Sequence, residues 1–208
     1  MTEASLEELI RAIVGGDAPL VSRLVDSSPD SVLAHAQRGA SAGEAKDFWF
    51  EAIMHYQYAG DTALHMAAAS FHPDMVRTLL VAGADVAAQN RRGAQPLHYA
   101  VDGVPGSATW NPQAQRETVV CLLDAGADPN AVDKGGVTPL HRAVRNRCAD
   151  AVSALLDGGA DLRRKNKKGS TPAQLATWTT GRGGSGSLEA KAEQDEIVRL
   201  LRARGASV

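Results

Sequence analysis

The 208-residue chain has little of what several functions require. It carries two cysteines, Cys121 and Cys148, too few for a disulfide framework. Cys121 lies inside an apolar run, VVCLL, where a small buried thiol is expected. No apolar run approaches the roughly 20 residues that span a bilayer. The start, MTEASLEEL, is acidic and lacks the basic and then apolar segments of a secretory leader. A soluble, cytoplasmic protein without membrane contact is therefore expected. HExxH, paired CxxC and every other zinc-ligand spacing are missing, as are a catalytic triad and paired carboxylates, so neither metal nor cofactor is expected. Only nine aromatics are present, which makes their distribution informative. Phe48, Trp49, Phe50, Tyr56 and Tyr58 fall within one stretch of eleven residues.

What is present argues for a folded protein: 44% hydrophobic and 22% charged residues. A net charge of −2 conceals an asymmetry. Residues 1–90 hold 5 basic and 12 acidic side chains, and residues 91–208 hold 17 and 12. The basic peak is RRKNKK, from Arg163 to Lys168. Screening beyond roughly 8 Å in physiological salt makes this polarity a local property of each end.

A repeat organises the rest. TALHMA (62–67), QPLHYA (95–100), TPLHRA (138–143) and TPAQLA (171–176) share one pattern. GAD follows at 83–85, 126–128 and 159–161, and GAS at 205–207, each after an apolar helical run. Threonine at 62, 138 and 171 suits a helix N-cap, and proline at 96, 139 and 172 suits the first helical position. Glycine at 83, 126, 159 and 205 suits a left-handed helix stop. On these motifs the chain resembles the ankyrin repeat over about residues 58–208.

The resemblance implies an all-α solenoid of stacked helix-turn-helix units with short hairpin-like connecting loops. The expected division is one solenoid over 1–208: an atypical N-terminal cap (1–36), an aromatic insertion (37–59), repeats at 60–93, 94–136 and 137–169, and a C-terminal repeat with a Gly-rich insertion (170–208). The resemblance also implies that His65, His98 and His141 make hydrogen bonds between neighbouring loops rather than bind metal.

Function is expected where the repeat is broken or where variable positions face the groove. In the first break, KDFWFEAIMHYQY has helical spacing that places Phe50, Ile53 and Met54 on one face. Either this helix covers the N-terminal end of the stack, or Trp49, His55, Tyr56 and Tyr58 line the groove. The second break, around DGVPGSATWNPQ, is an ordered loop whose Trp110 is expected to dock, beside Asn111. The third, WTTGRGGSGSLEAKAEQ, carries Trp178 and Arg182, with Ser187 as a helix cap. GRGGSGS lacks phosphate-loop spacing, so a nucleotide site is not expected. The two tryptophan loops join equivalent helices and are expected to flank an arginine-rich turn at Arg145, Asn146 and Arg147.

Carried onto this sequence, the family's binding positions are Tyr58, Asp61, Ser70, Arg91, Arg92, Asp102, Lys134, Arg145, Asn146, Lys167, Lys168, Ser170 and Trp178. They point to a non-enzymatic scaffold for another protein, with an acidic segment at the basic half. A negative net charge and the lack of a nucleic-acid motif disfavour DNA and RNA. The alternative is a small-molecule binder or enzyme on the same groove. It would use Asp61 or Asp102 as carboxylate, His55 or Tyr58 as proton carrier, and Arg145 or Arg182 as anion clamp.

Overall fold

A computed structural model describes residues 3–41, 43–178 and 187–207. Arg182 and the GRGGSGS run up to residue 186 lie outside the described residues.

The described residues fold into five helix pairs. They are α1 (Glu3–Val14) with α2 (Ala18–Ser27), α3 (Ala63–Ala69) with α4 (Pro73–Val81), α5 (Pro96–Tyr99) with α6 (Pro112–Asp124), α7 (Pro139–Asn146) with α8 (Ala149–Asp157), and α9 (Pro172–Ala176) with α10 (Leu188–Ala203). First helices stack on first helices, α1 through α9, and second helices on second, α2 through α10. The result is two layers with one apolar core that runs from Leu6 to Leu201. In α1, Leu6, Leu9, Ile10 and Ile13 make the buried stripe at helical spacing. Each such side chain contributes about 1.5–3 kcal/mol, but only once a neighbouring pair covers it.

The expected stops and caps are in place. Gly83, Gly126, Gly159 and Gly205 all have positive φ, and Ser187 accepts from the Ala190 N–H to cap α10. The signature histidines are bridges. The Thr62 N–H donates to His65 Nδ1 (3.1 Å), so the ring proton sits on Nε2 and is donated to the Ala94 carbonyl (3.0 Å). His98 likewise joins the Gln95 N–H to the Val137 carbonyl, and His141 joins Thr138 to Ser170. In the last pair Gln174 accepts from the Thr171 N–H and so takes over the capping half of this role.

The loops between pairs hydrogen-bond to each other in sequence. Arg91 N–H donates to Ala59, Lys134 N–H to Arg92 and Lys167 N–H to Gly135, at 2.8, 2.9 and 3.0 Å. The approach is so close that a Cβ on Gly136, which has φ +70°, would lie 2.9 Å from the Lys167 nitrogen. Only glycine fits there.

The aromatic insertion departs from the helix expected of it. Residues 45–56 do not form a helix. They make a 3-10 turn (Ala45–Phe48), strand β1 (Trp49–Phe50), a second 3-10 turn (Glu51–Ile53) and strand β2 (His55–Tyr56). Trp49 pairs with Tyr56 and Phe50 with His55, antiparallel. Phe, Trp and Tyr favour a pleated surface over a helix, and the Trp49 and Tyr56 rings meet across the strands at 4.6 Å, tilted by 52°. Phe50 and Ile53 do pack against the core, but Met54 adopts left-handed backbone and is exposed.

Burial lowers the pKa of His65 and His141 and brings His98 down to about 4, with Arg142 adding to the effect at His98. The unfolded chain therefore binds these protons first. Stability is complete above about pH 6.5 and falls as pH drops toward 4, by roughly 1 kcal/mol per pH unit for His98 alone. His98→Gln, which copies the Gln174 solution, should fold and flatten this slope. Thermal melts of both proteins across pH 4 to 7 check it, and parallel slopes would contradict it.

Candidate interaction surface

The first-helix layer and the loops beside it carry most of the residues singled out by the sequence, and the structure sorts them into two groups.

The first group is consumed by the fold. Asp61 is fully buried and accepts from the Tyr58 N–H (2.6 Å), the Asn90 amide (2.9 Å) and the Tyr99 hydroxyl (2.8 Å). It lies in the interior and not on the groove surface. A carboxylate is tolerated there because every oxygen has a donor. Asp102 is held by Arg142 (3.0 Å), the Asn146 amide (2.9 Å) and His55 Nε2 (3.3 Å). Burial alone would raise its pKa, but Arg142 and then His55 hold it well below the usual carboxylate range. Arg142 also reaches Asp133 at 3.2 Å. Asn146 is buried and spends its amide on Asp102 and on the Val101 carbonyl. Asn111 caps α6 by accepting from the Ala114 N–H. Asp61, Asp102 and Asn146 were expected to face the groove, and their partners many positions away are not revealed by residue type alone; Asn111 stays exposed while it caps its helix.

The aromatic hairpin sits over this network. His55 lies on the Tyr99 ring at 4.4 Å and on Asp102, and its Nδ1 faces the Tyr56 carbonyl at 2.8 Å. Tyr58, half-buried against the core, has the Arg92 guanidinium 4.8 Å above its ring and Arg91 at 5.7 Å. Arg91 also donates to the Ala40 carbonyl. Trp49 is half-buried, with its indole N–H on Glu51. The hairpin therefore covers the first-helix face over α5 with this chain's own residues. A carboxylate held by Arg142, Asn146 and His55, with its pKa lowered by the first and last of these, is a weak general base.

The second group is exposed. Arg91, Arg92, Lys134, Lys167 and Lys168 stand at the tips of successive loops. Arg145 is exposed at the end of α7, and Trp178 is 51% exposed after α9. Ser70 is half-buried and returns its hydroxyl to the Met66 carbonyl, and Ser170 supplies the carbonyl that His141 reaches.

Trp178, Arg145, Arg147, Leu175 and Gln194 line a narrow cleft of ≈ 10 Å³, room for about one water. Trp110 does not join it. Its indole N–H donates to Gln115 (3.0 Å), and the ring lies so close to Gly103 that a Cβ there would be 2.6 Å from the indole nitrogen. The second insertion does approach the start of α10, where Gly106 meets Ser187 and Glu189. So the two insertions meet, but one tryptophan lines the cleft and the other braces its own loop. A wider depression of ≈ 660 Å³ lies on the second-helix layer between α4 and α6, lined by Leu80, Val81, Val120 and Cys121. Cys121 is half-exposed there, whereas Cys148 is the buried thiol, its pKa pushed up to about 12 by burial. Among the described residues no group of three His, Cys, Asp or Glu could hold a metal, and no helix is long and apolar enough to cross a membrane.

Residues 59–91 and 92–134 each match the family described as Ankyrin repeat, and residues 122–176 match the one described as Ankyrin repeats (many copies). The matched span, 59–176, is more than half of the chain. No curated protein matches it.

Asp102→Asn should cost about 3 kcal/mol, the scale of breaking a buried pair, because Arg142 keeps only Asp133 and His55 loses its anchor. Hydrogen exchange at 49–56 should rise more than exchange in α7. A urea midpoint unchanged from the native chain would contradict the network's structural role.

Proposed function

This chain belongs to the ankyrin-repeat family, and from that premise we propose that it is a non-enzymatic module that holds a segment of another protein against its loop tips and first-helix layer. The observation that carries the reading is the division of side chains just described. Histidines and carboxylates that could do chemistry are spent on internal hydrogen bonds, while arginines, lysines and one tryptophan stand exposed on a braced backbone. Rigid presentation lowers the entropy lost on binding, and aromatic and arginine side chains carry most interface energy.

The expected anchors are Trp178 with Arg145 at one end and Tyr58 with its two arginines at the other. Between them the basic tips favour an acidic segment. Nucleic acid is a weaker match for a chain of net charge −2. The enzyme alternative loses ground, because each oxygen of Asp61 and Asp102 already accepts from a neighbour in the fold and neither cavity is lined by Trp49, Tyr58 or Trp110.

Photo-crosslinking tests the reading. A benzophenone amino acid replaces Lys134 or Trp178 in one set of proteins, and Val81, exposed on the second-helix layer, in another. In the source cells, position 134 or 178 should capture a discrete protein that position 81 does not. Equal capture from position 81, or a co-purifying metabolite with no crosslinked protein, would contradict it.

A further inference from the structure

The loop tips have a property that narrows what can lie across them. Arg91, Lys134 and Lys167 occupy equivalent positions, each one residue after an Asn or Asp that folds its loop. All three are exposed, and among the described residues no salt bridge reaches them or Lys168. Their backbone is already committed. In each loop the first N–H donates to the previous loop, two more go to the side-chain oxygen of Asn90, Asp133 or Asn166, and another goes to that residue's own carbonyl. A partner therefore has no N–H to pair with and cannot join as an added strand. Recognition must run through side chains. Most residues flanking the row are polar or glycine, and Val132 is a single exposed apolar side chain among them, so the row provides no continuous apolar groove for an amphipathic helix.

The spacing of the row follows from the stacking. Each tip is tied to its neighbour and each belongs to a helix packed on the next, α3 on α5, α5 on α7 and α7 on α9. Packed helices lie about 8–10 Å apart. A β-strand repeats the same face every ~6.8 Å or ~13.5 Å, either side of that interval. Polyproline II repeats every three residues, or ~9 Å, and its backbone needs no hydrogen-bonded partner.

We propose that this row binds an acidic polyproline II segment carrying one carboxylate per turn, Glu-x-x-Glu-x-x-Glu, with successive carboxylates on Lys167, Lys134 and Arg91. The inference rests on the protein-binding reading above and names the chemistry of its partner. Arg91 is the ordered end of the row, since its hold on the Ala40 carbonyl and the Tyr58 ring fixes the guanidinium while other N–H groups remain to donate. Lys134 and Lys167 contribute as point charges. The affinity is salt-sensitive because all three contacts are at the surface.

Fluorescein-labelled (Glu-Pro-Pro)4 and a peptide of the same composition with its glutamates in one block are titrated against the full chain by anisotropy at low salt. A helical peptide with glutamate at every seventh residue and a single-stranded oligonucleotide complete the set. The spaced peptide should bind at least fivefold more tightly than the block. Lys134→Glu and Lys167→Glu should each weaken it by about fivefold, the scale of one exposed charge contact, with unchanged melting curves. Equal binding of both peptides overturns the spacing and leaves an acidic partner standing. Tighter binding of the helix or the oligonucleotide overturns the proposal in favour of that class. If no acidic peptide binds, the acidic partner falls as well, while crosslinking from position 134 still judges the protein-binding reading by itself.

Discussion

The structure depends on one contact repeated along it: an imidazole that accepts from the N–H of the residue capping its own helix and donates to a carbonyl of the next loop. A single ring thus caps a short helix and fixes the distance to its neighbour. The helices concerned have four to eight residues and would be marginal alone. They persist because capping, stacking and core burial arrive together. Neutral imidazole is required for this, since a proton on Nδ1 would face an N–H. Burial enforces that state, and the same burial removes these rings from any chemistry near neutral pH.

The loop ladder is the second consequence. Once the rings set the register, each loop can donate to the one before it, and glycines remove the side chains that would hold the loops apart. Asn90, Asp133 and Asn166 fold all three loops in the same way through a side-chain oxygen. Asp133 has a second oxygen to spare, and it takes Arg142. Asn90 has an amide to spare, and it reaches Asp61 and Tyr99. One position in the repeat thereby serves the backbone of all three loops and, at Asn90 and Asp133, builds two different polar networks. The front of the layer is closed by the hairpin over Tyr99 and Asp102, and the rear keeps its cations outward. The charge asymmetry of the sequence becomes a division between a self-covered half and an open one.

Much of this was legible in the sequence. The TPLH and GAD motifs fixed helix starts, stops and pairing, because capping and left-handed stops act locally and demand particular residue types. The structural role of the histidines was legible for the same reason. Less legible was anything set by a distant partner. Asp61 and Asp102 look like surface carboxylates until Tyr99 and Arg142, about forty residues on, are placed beside them. Asn146 is a buried brace instead of a groove residue, whereas Asn111 caps α6 and remains exposed. The hairpin is hidden in the sequence because Phe50, Ile53 and Met54 imitate a helical stripe, while the strand preference of Trp, Phe and Tyr carries the better signal. Trp110 was expected to dock, and it does, on Gly103 of its own loop.

The central claim is that a braced backbone presents the cation row at fixed spacing, so the backbone of the row is where it is tested most directly. Native-state hydrogen exchange read at the amides of Arg91, Lys134 and Lys167 makes that measurement. Protection comparable to the cores of α4 and α8, despite exposed side chains, is the result the account predicts. Exchange at the rate of a free loop would mean that the rungs move independently, and a fixed row of charges could not then be the feature a partner reads.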